Sequence, residues 1–514
     1  MNCSRLVLVL TLFAVSTAWG ISNQVQVTGG AISGGTDNGT QVFKGVPFAA
    51  PPTGDLRWKP PHPVEAWSGT KVCTEFGPAC PQPAYAENSF YKSPGITTSE
   101  NCLYLNVWTD ADTKDEKRPV MVWIHGGALT RGAGSNDVYN GANLAKKGVV
   151  LVTVNYRLGP LGYLAHPELT NEEPRGVSGN YGVLDQIASL RWIQTNIAQF
   201  GGDPNNVTIF GESAGSWSVH ALVASPLAKG LFHRAIGESG GLFGAGVHLD
   251  SSADGGKSGH EIGEAFLNAA GVNTIAEARV LSADKIIETF QGPGKGFTTR
   301  PVVDGWAFPD SIHTIFQSGR QNDVPVMIGS NAKEMTTLTS PAMVPKTSAA
   351  LKGLLASQYK DADFNEFGKA YGGLEDETAG DAFLALMRDV VFSNQMRQWA
   401  RATEKVSSDA YLYYFTRVPP IPNSEYYGAF HAAEISYAFQ NTSPDYEDTD
   451  RELSDTMSDY WVNFATHGNP NGKDVPHWTA YDSENEAYQE LGDNVGGSNH
   501  LLKEELDYLG TLLD

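Results

Sequence analysis

The 514-residue sequence predicts an α/β chain: a large, mostly parallel central sheet with helices on both faces and helical insertions capping it. Three observations predict it. Five short runs are apolar throughout instead of alternating with polar residues, the pattern of strands whose two faces are both covered. A segment of helical periodicity separates two of these runs, giving strand, helix, strand. Finally, 41% hydrophobic residues against 18% charged ones supply an extended core, with no tract of disorder-forming composition.

The first two runs, PVMVWI at 119–124 and VVLVTV at 149–154, are rich in β-branched residues and read as buried strands. Within 180–205, Ile187, Leu190, Ile193 and Ile197 recur at helical spacing, and Gly201-Gly-Asp-Pro204 stops the element. The remaining runs are VTIF at 207–210, VMI at 326–328 and AYLYYF at 410–415. Residues 250–300 and 340–405 carry helical rather than strand patterning and read as insertions over the sheet. The N-terminus, MNCSRLVLVLTLFAVSTAWG, has Arg5, an apolar run over 6–15 and small residues at Ala18 and Gly20, which is the pattern of a signal peptide. The expected organisation is therefore a leader at 1–20 and a single domain at 21–514, secreted or periplasmic. The leader's apolar run is too short for a spanning helix, and no apolar run elsewhere has the roughly 18 residues of a membrane span, so no stable membrane insertion is expected.

The balance of 36 basic and 58 acidic residues leaves −22, a field that repels phosphate backbones and anionic bilayers, so no nucleic-acid partner is expected. Removing the leader removes Cys3 and leaves Cys73, Cys80 and Cys102, read as one disulfide pair and one free thiol. Neither a Cys-x-x-Cys nor a His-Glu-x-x-His motif occurs, so no metal and no other cofactor is expected. GPGKG at 292–296 lacks the spacing of a phosphate-binding loop and reads as a flexible connection.

Gly-x-Ser-x-Gly occurs twice, around Ser213 and around Ser239. A serine lifted above a sheet needs a strand running in and a helix running out. VTIF precedes Ser213, and 216–224 is free of Gly and Pro, whereas Gly240, Gly241, Gly244 and Gly246 follow Ser239 and disfavour a helix there. Ser213 is the candidate nucleophile. A serine needs a base, and the base an orienting carboxylate, in the order Ser, acid, His and beyond the carboxyl ends of strands. Asp323 lies at the amino end of the run 326–328, so Glu334, after its carboxyl end, is the candidate acid. Of the later histidines, His467 ends a helix at Gly-Asn-Pro and reads as structural, and His477 and His500 carry no context. His431, in the aromatic stretch YYGAFHAAEISYAF, is the candidate base. Charge developing on a substrate oxygen needs backbone donors. Ala214 supplies one, and the glycine turn in WIHGGALTRGAGS at 123–135 supplies the others.

These residues together resemble the type-B carboxylesterase family, the cholinesterase-like branch of the α/β-hydrolases. The resemblance is carried by FKGVPFAAPPTGDLRW (43–58), SENCLYLNVW (99–108), VNYRLGPLGYL (154–164), GNYGVLDQ (179–186), FGGDPNNVTIFGESAGS (200–216), GSNAKE (329–334), GAFHAAEISYAF (428–439) and WVNFATHGNPN (461–471). It implies a serine carboxylesterase acting on a small ester through an acyl-enzyme, with Ser213, Glu334 and His431 as triad and Gly127, Ala128 and Ala214 as oxyanion donors. It gives Gly126 a turn-shaping role, and Glu212 and Ser239 supporting roles, Ser239 through hydrogen bonds behind the triad. It also implies a Cys80–Cys102 disulfide with Cys73 unpaired, and the ion pairs Arg57–Glu100 and Arg157–Asp185. This chain departs from the family in carrying Ala128 and Leu129 where glycine and an aromatic are usual. It has no tryptophan where the choline binders of the family place theirs, so choline esters are disfavoured. A non-catalytic binding module is the alternative from another class, and a specialised lipase, polyester or toxin esterase the alternative within the family.

Overall fold

The computed structural model describes residues 21–513 apart from 88, 93, 94, 245, 253–255 and 361, so the expected leader lies outside the described residues. Its centre is an eleven-stranded sheet. In chain order the strands are β1 (Gly35–Asp37), β2 (Thr40–Pro47), β3 (Tyr104–Thr109), β4 (Arg118–Ile124), β5 (Val150–Val154), β6 (Gly202–Glu212), β7 (Arg234–Glu238), β8 (Val326–Asn331), β9 (Ala410–Phe415), β10 (Ala487–Leu491) and β11 (Gly496–Asn499). Their spatial order is β11-β10-β9-β8-β7-β6-β4-β5-β3-β2-β1. From β10 across to β5 every neighbouring pair is parallel, and only the two flanks are antiparallel. A small three-stranded sheet (Gln24–Val27, Gly30–Ser33, Thr70–Val72) packs at the N-terminal end.

Alternation along each strand explains the unbroken apolar runs. Val120, Val122 and Ile124 face one core, while Met121 and Trp123 face the other; Ile328 and Met327, and Leu412 and Tyr413, divide in the same way. The first core is closed by helices α1 (Tyr181–Asn196), α2 (Ala214–Ala224) and α3 (Asn394–Thr403), through Ile187, Leu190, Val219, Leu222 and Trp399. The second is closed by α4 (Asp448–His467), through Met457, Tyr460, Trp461 and Phe464. From Val120 to Ile124 on β4 and along all of β9 the residues are therefore buried whichever way they face.

The insertions are helical, as the patterning predicts: Gly259–Ala270 and Ala283–Gln291 in the first, Ser348–Gln358 and Asp376–Arg388 in the second. Two boundaries differ from expectation. The helix α1 ends at Asn196 and tightens into a short turn before Gly201, whose φ of 78° closes it; Gly202, Asp203 and Pro204 already belong to β6. The helix after Ser213 starts at Ala214 rather than Ser216. Both motif glycines are steric necessities, because a Cβ at Gly211 or Gly215 would lie 2.5 or 2.0 Å from the carbonyl oxygen of Ile124.

Cys80 and Cys102 are bonded and Cys73 is a buried free thiol. The guanidinium of Arg57 is clamped by Glu100 at 2.6 and 2.7 Å. Arg157 meets Asp185 at 2.7 and 2.8 Å, fully enclosed, and ties the loop after β5 to α1. His467 is the last residue of α4, ahead of the left-handed Gly468, as its structural reading requires. Among the described residues no helix is long and apolar enough to cross a membrane.

Candidate active site

At the carboxyl ends of β4, β6, β8 and β9 four chain segments converge. Ser213 occupies the turn from β6 into α2 with φ 56° and ψ −121°, a conformation that non-glycine residues rarely adopt. The surrounding structure fixes it there: the Ser213 N–H donates to Glu238 O on β7 at 2.8 Å, and its carbonyl accepts the Trp217 N–H at 2.9 Å. Ser239 reproduces half of this arrangement. It too follows a strand, β7, with φ 53°, and its N–H donates to Gly329 O, but no helix begins after it. The expected hydrogen bonds from its side chain are not found: Ser239 Oγ is buried and bonds to no other described residue. Ser239 thus stitches β7 to β8 through its backbone rather than through its hydroxyl.

Glu334 and His431 are brought side by side by backbone pairing. Lys333 bridges to Phe430, the Lys333 N–H donates to Ala429 O, and the Asn331 side-chain amide donates to Phe430 O at 2.8 Å, so the next residue of each loop lies abreast. His431 Nδ1 donates to Glu334 Oε2 at 2.7 Å, while Glu334 Oε1 accepts the Asn331 N–H at 2.7 Å. Both carboxylate oxygens are thereby used as acceptors. Glu334 is completely enclosed, and the imidazole packs between Phe392 and Tyr91 with ring centroids 4.8 and 6.4 Å away. Tyr91 also donates its hydroxyl to His431 O at 3.0 Å.

The remaining nitrogen, His431 Nε2, lies 3.0 Å from Glu212 Oε1, an oxygen that makes no hydrogen bond. Nor does Ser213 Oγ bond to Nε2 among the described residues. Catalytic hydrogen bonds are often long or poorly aligned in a free enzyme and tighten when substrate fills the site. Glu212 still marks the proximity. A Cβ on Gly126 would stand 2.9 Å from Glu212 Oε2 and 3.2 Å from Ser213 Cβ, which places the glycine turn, the serine and the carboxylate beside Nε2 in mutual contact.

That turn leaves β4 through Gly126 and passes Gly127, Ala128 and Leu129 at φ 104°, 56° and 58°. Gly127 O accepts the N–H groups of Thr130 and Arg131, both at 3.0 Å, which folds the turn back on itself. The N–H groups of Gly127 and Ala128 donate to no other described residue, and that of Ala214, first in α2, has no acceptor within its helix. Three amides are thus left unused around Ser213. The methyl group of Ala128 is exposed on the adjoining cleft.

Behind the site lies a cluster of enclosed glutamates that the sequence reading only partly anticipated. Burial, reinforced by Glu334 and Glu238, pushes the Glu212 carboxyl well above the usual range. Burial pushes Glu238 up to about 7, opposed by the Trp461 indole N–H donating to it at 2.8 Å. Glu434, which accepts a hydrogen bond from Asn331, is raised chiefly by burial and then by Glu212, Glu238 and Glu334. Glu238 and Glu434 were missed. Their signal was present, an acid among small and apolar residues at a strand end or in the histidine loop, but nothing in the chain order distinguishes it from an exposed loop acid.

A serine on a strained strand-to-helix turn, at the carboxyl edge of a parallel sheet, places the molecule among the α/β-hydrolases. The model of the carboxylesterase family matches residues 21–509, and the chain belongs to that family. It is 36% identical to the fumonisin B1 esterase of Sphingopyxis macrogoltabida, with 92% of this chain and 87% of that one covered. It is 37% identical to the liver carboxylesterase of Sus scrofa, covering 98% and 96%. A solved PNB esterase superposes with a TM-score of 0.80 at 32% identity, covering 95% and 99%. The protein is a serine carboxylesterase, a carboxylic ester hydrolase; a purely adhesive module is not favoured.

Proposed function

We propose that Ser213 is the nucleophile, His431 the general base and acid, and Glu334 the residue that orients it. Ser213 Oγ attacks the ester carbonyl as its proton passes to His431 Nε2. The carbonyl oxygen takes the negative charge and is held by the N–H groups of Gly127, Ala128 and Ala214. Collapse breaks the bond to the alcohol oxygen, which leaves with the proton from His431, and an acyl-Ser213 remains. Water then repeats the sequence, giving its proton to His431, and the free acid departs as the Ser213 hydroxyl is restored. The carrying observation is the 2.7 Å contact of His431 Nδ1 with Glu334 Oε2 next to a serine in the left-handed region.

The test is Ser213→Ala. Turnover of p-nitrophenyl butyrate is expected to fall by roughly three orders of magnitude or more, with an unchanged circular-dichroism spectrum. An organophosphate should add mass to the wild-type peptide that contains Ser213 and to none in the variant. Near wild-type turnover by the variant overturns the assignment. We further propose that residues 1–20 are an export leader, a reading supported by the Cys80–Cys102 disulfide, since such bonds persist in oxidising compartments. A mature chain beginning near Ile21 is the expected result of N-terminal sequencing.

A further inference from the structure

Beside the glycine turn the surface opens into a cleft of about 500 Å³, lined by Ala128 and Arg131 of that turn, by Trp217 of α2, and by Lys295 and Arg300 of the first insertion. It is linked to the reacting serine through the glycine turn that carries Ala128 and through Trp217, whose N–H is bonded to the Ser213 carbonyl. Three of its lining residues are cationic and none is acidic, in a chain whose net charge is −22. Several buried or half-buried arginines elsewhere are matched to carboxylates: Arg57 to Glu100, Arg157 to Asp185, Arg397 to Glu486 and Arg417 to Asp450. Among the described residues, Arg131, Lys295 and Arg300 have no carboxylate within 4.0 Å.

The two guanidinium groups are positioned nonetheless. Arg131 lies 5.5 Å from the ring of Tyr85, and Arg300 lies 5.9 Å from the ring of Trp217. An aromatic ring engages the flat face of a guanidinium and leaves its edge of N–H donors for another group. Arg131 Nε is buried and has no hydrogen-bond partner. An acidic protein that keeps three unmatched cations together at the mouth of its reaction site has a place for an anion there, and a planar carboxylate fits two arginine forks.

We propose that this cleft receives a free carboxylate of the substrate, so that the enzyme prefers esters that carry a negative charge apart from the bond they lose. The proposal rests on the esterase reading centred on Ser213. The global field of the molecule works against such a preference, so a measured one originates locally.

The experiment compares kcat/KM by pH-stat for two matched pairs: monoethyl glutarate against ethyl pentanoate, with the charge on the acyl side, and 4-carboxyphenyl butyrate against phenyl butyrate, with the charge on the alcohol side. At least one anionic ester is expected to exceed its neutral partner by roughly ten-fold or more at low salt, and about 0.5 M NaCl should shrink the excess. The anionic-to-neutral ratio should fall by about ten-fold in Arg131→Gln/Arg300→Gln, mainly through KM. It should fall by a smaller factor in Lys295→Gln, an exposed site that tests the cleft even if the double variant folds poorly. The proposal is overturned if neither anionic ester is preferred, or if the preference survives all three substitutions. Hydrolysis of the neutral esters in the same assay separates the two readings. Turnover of neutral esters without preference ends this proposal alone, whereas no Ser213-dependent turnover of any ester ends the esterase reading with it.

Discussion

At Ser213 the backbone itself carries part of the design. A side chain held at φ 56° and ψ −121° stores on the order of 1–3 kcal/mol, which the rest of the fold must supply. Ser213→Gly and Ser213→Ala both remove the hydroxyl, but only glycine removes the Cβ that makes the angle costly. The glycine variant is therefore expected to be more stable than the alanine variant by about 1 kcal/mol in urea titrations. Glu238 gives a second residue-level expectation. Its carboxyl is raised from 4.5 to about 7 by burial, so the folded state holds a proton that the unfolded chain has already released. Its contribution to stability is present below about pH 4.5 and is lost as pH rises through about 7. The Tm of Glu238→Gln relative to wild type should thus increase steadily across that interval. The proposed triad could be picked out of the sequence because each candidate obeys a local rule: a motif for Ser213, the side of a strand for Glu334, an aromatic loop for His431. Glu238 and Glu434 obey none, since what distinguishes them is enclosure by segments remote in the chain.

Long unbroken apolar runs announce themselves, which is why β4, β5 and β9 were read close to their true limits, whereas only the first half of β8 was. The segments β2, β3 and β7 were not. TQVFKGVP carries a glycine and ends in a proline, and RAIGE is short and glycine-bearing, so neither shows a recognisable period; pairing with neighbours defines them instead. Between Cys80 and Cys102 the described residues form little regular structure, yet they reach the site. Gln82 exchanges hydrogen bonds with Gly132 at 2.8 Å in both directions, and Tyr91 packs against His431. Holding the two ends of this 22-residue separation together should contribute about 3 kcal/mol. Cys80→Ser/Cys102→Ser is expected to lower Tm and also to raise KM, since the freed segment supports the histidine and the glycine turn. An unchanged KM with lowered Tm would confine the bond to stability.

For the molecule as a whole, the net charge of −22 is a self-repelling field distributed over a chain with pI near 4.9. Raising salt from about 10 mM to about 150 mM shortens the range of that repulsion from roughly 30 to roughly 8 Å. Tm should accordingly rise by a few degrees over that interval, and a flat or falling Tm would mean that local ion pairs such as Arg417 with Asp450 and Asp493 outweigh the net field. The spatial order of the central strands carries a consequence of its own. Translation delivers β4 and β6 early, but the loops that follow β8 and β9 emerge much later, with Glu334 and His431 themselves 97 positions apart. At about 5–20 residues per second, a nascent chain spends many seconds with β7 as an unmatched border and with no imidazole in place. A message cut short before the loop that follows β9 yields a sticky, inert polypeptide rather than a weakened catalyst.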